Sequence, residues 1–116
     1  MMKIVTGLVF LVGLLHVWFL ILEMFLWTKP FGRKTFGLTP EFANLTQPLA
    51  ANQGLYNGFL AAGLFWGAVS PHFEVKIFFL TCVVIAGVYG ALTVNKKIFF
   101  IQALPALIAS FLVWLE

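Results

Sequence analysis

Four apolar runs, each near the length of a membrane span and separated by more polar breaks, decide what this chain can fold into. A hydrocarbon core about 30 Å thick takes about 20 apolar residues as a helix rising 1.5 Å per residue. The runs fall at 4–28, 49–69, 75–94 and 98–115. Of 116 residues, 62% are hydrophobic and only 9% charged. A soluble domain would carry about a quarter charged residues. The expectation is therefore one all-α integral membrane domain over residues 1–116, a four-transmembrane-helix bundle. A formal charge of +3 does not point to nucleic acid, because the basic residues stand at segment ends. The single cysteine, Cys82, excludes an intrachain disulfide. Lys3 ahead of an apolar run imitates a signal peptide. The run is too long for that, contains His16 and Glu23, and lacks a small-residue cleavage site after it.

The first run ends at Lys29-Pro30, since proline turns the preceding residue away from helix. Its polar and small residues, Thr6, Gly13, His16, Glu23 and Trp27, lie close to one helical stripe. Residues 29–48 form the long connection, basic and aromatic in Phe31-Gly32-Arg33-Lys34-Thr35-Phe36-Gly37 as an interfacial segment is. Thr39-Pro40-Glu41 reads as a helix start: cap, first helical residue and an acid at the positive end of the dipole. It predicts a short surface helix over 40–46, stopped before Pro48.

The second run opens with Ala50-Ala51-Asn52-Gln53-Gly54-Leu55-Tyr56-Asn57-Gly58, four polar side chains and two glycines at the head of an apolar segment. Lipid has no hydrogen-bond partners for those groups, so they are expected to face protein or enclosed water. Asn52 with Tyr56, and Gln53 with Asn57, are one turn apart. Gly54, Gly58 and Ala62, with Gly63-x-x-x-Gly67 beside them, are spaced for close helix approach. In the third run Cys82, Tyr89 and Thr93 share a stripe, and Ala86, Gly87 and Gly90 are small contact positions. The fourth carries Gln102, Pro105 and Ser110.

Lys29, Arg33, Lys34, Lys96 and Lys97 lie in the first and third connections, while Lys3 and Lys76 lie on the other side. The positive-inside rule then makes those connections cytoplasmic and puts both termini outside. Glu23, Asn52, Gln53, Tyr89, Thr93 and Gln102 all fall within about 15 Å of the cytoplasmic ends of their helices, and His16 about 10 Å deeper than Glu23. The expectation is one polar pocket near the cytoplasmic side, lined by His16, Glu23, Asn52, Gln53, Tyr56, Asn57, Tyr89, Thr93 and Gln102. Glu23 is its sharpest member, since an acid in a span is costly and usually functional. The plainer readings pair Glu23 with Arg33 or Lys34, make His16 a hydrogen-bonded core residue, and make the amides of the second run glue between helices. His16 has no partner at ligand spacing, so no metal is expected. Nor does any motif imply a cofactor or a catalytic residue.

Leu22-Glu23-Met24-Phe25-Leu26-Trp27, Phe36-Gly37-Leu38-Thr39-Pro40-Glu41-Phe42, the stretch Ala50-Ala51-Asn52-Gln53-Gly54-Leu55-Tyr56-Asn57-Gly58-Phe59-Leu60-Ala61-Ala62-Gly63, and Gly90-Ala91-Leu92-Thr93 resemble the DUF1304 family of small bacterial membrane proteins. The resemblance covers essentially the whole chain and implies four spans in a bacterial cytoplasmic membrane. It carries no established activity. Three functions stay open. One is a non-enzymatic binding or transport protein for a small polar or amphiphilic molecule. The second is a membrane-embedded enzyme using Glu23 and His16 as acid and base on a lipid-like substrate. The third is a structural or partner subunit. The expected partners are the lipid bilayer and a small-molecule or lipid ligand, not nucleic acid; a homo-oligomer is compatible with all three.

Overall fold

A computed structural model describes residues Met2 to Glu116. They form helices α1 (Met2–Met24), α2 (Pro30–Phe36), α3 (Pro40–Val69), α4 (Phe73–Thr93) and α5 (Leu104–Trp114). A π-helical turn, Phe99–Ala103, leads into α5. Two helices, α1 and α4, are long and apolar enough to cross a membrane, and the apolar stretch Phe99–Trp114 is shorter. By contacts the chain divides into two compact units, Met1–Gly13 with Ala62–Glu116, and Leu14–Ala61.

Two expectations about element boundaries change. The first helix stops at Met24 rather than near Thr28. Proline at the first position of α2 holds Lys29 extended (φ −83°, ψ 157°), and the chain must turn before reaching it. Phe25 and Leu26 both donate to the Ile21 carbonyl as α1 unwinds. The short helix of the connection is therefore α2, closed by Gly37 in the left-handed region at φ 67°. The Leu38 and Gly37 amides return to the Arg33 and Lys34 carbonyls.

The second change concerns residues 40–46, which are not a separate surface helix. Thr39 does cap: its hydroxyl accepts from the Phe42 amide at 3.2 Å. The helix then continues through Pro48 to Val69. A proline removes one donor and crowds the carbonyl four residues back, yet a full break would expose several more backbone groups. Continuing the helix keeps those groups paired, and α3 runs through Pro48 without a break.

In the second unit, Ala43, Ala50, Gly54, Asn57 and Ala61 make a buried stripe on α3, with Leu22 buried on α1. Their spacing of seven, four, three and four is that of a helix seam. In the first unit the core is Val5, Val9, Leu64, Leu80, Val83, Ala103, Ala106, Ala109 and Val113. Glycine sets the approach there. A Cβ on Gly87 would stand 2.7 Å from both the Ala103 nitrogen and its Cβ. The π turn sits at that contact. Pro105 follows it near the start of α5 without a backbone donor, and Leu104 reaches back five residues to the Phe99 carbonyl.

Candidate functional site

Within the second unit, α1 supplies Glu23 and α3 supplies Asn57. The Asn57 Nδ2 donates to Glu23 Oε1. Asn57 is 5% exposed, whereas Glu23 is only partly buried. The contact depends on glycine on either side of Asn57. A Cβ on Gly54 would meet Met24 Cγ at 2.6 Å and Glu23 Cβ at 3.1 Å, and one on Gly58 would meet Leu20 Cδ1 at 2.7 Å. Two side-chain-free positions bring the helices close enough for a short asparagine to reach the carboxyl. A carboxylate can accept about four hydrogen bonds, and Asn57 fills one.

The alternative basic partners for Glu23 are placed elsewhere. Arg33 Nε donates to the Thr28 carbonyl at 3.2 Å, and Lys34 is exposed. His16 is fully buried and its ring meets Phe19 edge-on, centroids 5.2 Å apart. It lies seven residues from Glu23 on α1, about 10.5 Å along the axis, beyond direct proton transfer.

Of the remaining residues of the expected pocket, Asn52, Gln53 and Tyr56 share the second unit with Glu23. Asn52, Gln53 and Tyr56 are exposed on α3, away from its buried stripe, and Tyr56 packs edge-on against Phe59. Tyr89 and Thr93 belong to the first unit and are exposed; the Thr93 hydroxyl donates to the Tyr89 carbonyl at 2.7 Å. Gln102, also of the first unit, is half-buried. The small-residue stripe is shifted as well. Gly54, Gly63 and Gly67 are buried, but Ala62 and Ala86 are exposed. Among the described residues, no group of three His, Cys, Asp or Glu side chains could hold a metal ion.

One polar contact was not anticipated. Trp27 Nε1 donates to Thr46 Oγ1 at 3.0 Å, and Thr46 passes its own proton to the Phe42 carbonyl at 2.7 Å. In sequence Trp27 falls on the polar and small stripe of the first run, with no partner indicated for its indole N–H. Spacing did not mark the contact: Trp27 lies four residues beyond Glu23, past the end of α1, whereas Thr46 lies eleven residues before Asn57, about three helical turns. On antiparallel helices the two pairs step in opposite directions along their chains.

A family model described as "Protein of unknown function (DUF1304)" matches residues 10–114. The chain is also similar to the "Uncharacterized protein YpaA" of Lactococcus lactis subsp. lactis (strain IL1403), 33% identical over 108 residues, covering 87% of this chain and 91% of that protein. No solved structure matches it.

Proposed function

From the premise that this chain belongs to the DUF1304 family, we propose that it is a non-enzymatic integral membrane protein that binds a small amphiphilic molecule at Glu23. The observation that carries this reading is the Asn57 amide holding one oxygen of a carboxyl that is only partly buried. The pair is built: glycines flank Asn57, and the amide fixes the carboxyl's orientation. The acceptor capacity left on Glu23 suits a head group that donates hydrogen bonds, an ammonium above all. An acid–base enzyme has less support, because His16 stands a heptad from Glu23.

The test uses octylammonium as probe and 1-octanol as its neutral counterpart. Titration calorimetry of the protein in a non-ionic detergent is expected to show saturable binding of octylammonium, lost in Glu23→Ala and weakened in Asn57→Ala. Equal binding by the wild type and Glu23→Ala contradicts the assignment. The same proposal places four spans in the membrane with both termini outside, following the five-to-two distribution of basic residues. In a Cys82→Ser background, Glu116→Cys is expected to react with an impermeant maleimide added outside and Lys34→Cys to be protected. The reverse pattern overturns the orientation.

A further inference from the structure

The first unit contains a groove of about 350 Å³ lined by Val88, Ala91, Leu92, Lys96, Phe99 and Phe100. It lies where the last turns of α4 pass the π turn. Its volume is at the small end of ligand pockets, which run from roughly 300 to 1,000 Å³. Five of the six lining side chains are apolar, and the sixth is a lysine in the connection that follows α4.

We propose that this groove seats an anionic phospholipid, its acyl chain along Val88, Leu92 and Phe100 and its phosphate at Lys96. Three observations support one occupant. The floor is hydrocarbon with no polar side chain to orient a water-soluble ligand. The charge stands at one end rather than around the rim, as the two ends of a lipid require. That end is also the end of the helix, where a head group lies if α4 spans the membrane. The connection is ordered at this point: the Asn95 side chain accepts from the Lys97 amide at 2.9 Å, and the Ile98 and Phe99 amides return to the Asn95 and Lys96 carbonyls. Lys96 is thereby presented from a fixed backbone. Lys97, its exposed neighbour, does not line the groove and serves as the control.

Native mass spectrometry of the full chain in non-ionic detergent, titrated with dioleoylphosphatidylglycerol or dioleoylphosphatidylcholine, tests the proposal. The wild type is expected to retain the anionic lipid more tightly. A basic residue at a membrane surface contributes about 1 kcal/mol toward an anionic lipid, which is about fivefold in affinity. Lys96→Gln should lose that factor and Lys97→Gln should keep it. Ala91→Leu, which narrows the groove, should weaken both lipids. Unchanged phosphatidylglycerol affinity in Lys96→Gln overturns the site. So does equal loss in Lys96→Gln and Lys97→Gln, which would mean diffuse surface charge. Both lysines are exposed, so neither variant threatens the fold.

Discussion

The two units hold their helices together by different means. In the second unit, side chains far apart in sequence meet through hydrogen bonds: Asn57 to Glu23 and Trp27 to Thr46. In the first, helices meet through glycine and alanine. Phe65 lies over Gly13, Phe79 over Gly63, the Lys76 backbone against Gly67 and Ala103 against Gly87. A polar contact there that spans a long stretch of sequence joins Lys76 to Glu116, at 3.4 Å. Close packing of small residues leaves no room for a ligand among the atoms that touch. A polar contact between side chains of unequal burial leaves an acceptor reachable. The difference is why the candidate site is assigned to the second unit.

The largest expected effect strikes the glycine-packed unit. Gly87→Leu meets backbone that cannot rotate away and should cost 1–3 kcal/mol or more, about the upper range for overpacking. Gly58→Leu in the second unit meets only the end of the Leu20 side chain, which can move. It should cost less than Gly87→Leu, though more than Leu60→Ala. Thermal unfolding in detergent gives the order, and Gly58→Leu proving the worse variant would erase the contrast between the units.

Next in size is Glu23→Ala, which strands the buried Asn57 amide at about 1–3 kcal/mol. Glu23→Gln keeps an acceptor oxygen at that place and should unfold nearer the wild type, by circular dichroism against temperature. If Glu23→Gln is as damaging as Glu23→Ala, the carboxyl acts as a charge rather than as Asn57's acceptor. Trp27→Phe keeps the ring packing against Phe36 and removes one hydrogen bond, about 0.5–1.5 kcal/mol. The smallest effect belongs to Glu116→Gln. The contact with Lys76 is mostly buried but long, and glutamine keeps an acceptor oxygen for the ammonium, so the change should cost under about 1 kcal/mol.

Much of this arrangement could be read in the residues, and the failures share a cause. The helices of the four runs follow from length and apolarity. That Glu23 and the second run are partners follows from their order along the chain. Equal depth along antiparallel helices points to Asn52 and Gln53 as the partners of Glu23, whereas Asn57, one turn deeper, makes the contact. Asn52, Gln53, Tyr56 and Asn57 fall within an arc of about 140° around the axis, with Asn57 at one edge of it. α3 carries polar residues on its exposed side and also one, Asn57, on its buried side, so polarity does not mark the inner face. Small residues mark it instead, and Ala43, Ala50, Gly54 and Ala61 lie in phase with Asn57 rather than with Asn52 or Gln53. Pro48 misled as well: it lies inside α3, where one lost donor did not end the helix. The short helix α2 was signalled, by proline at its start and glycine just past its end. The stronger-looking Thr39-Pro40-Glu41 drew the expectation away from it.

The central claim is that Glu23 and Asn57 form one coupled polar contact joining α1 to α3. A double-mutant cycle on Glu23→Ala and Asn57→Ala, read as unfolding free energy in detergent, measures that coupling. The account predicts a coupling of about 1–3 kcal/mol, with the double variant less destabilised than the sum of the two single variants. Strict additivity would contradict it, because the two side chains would then contribute independently.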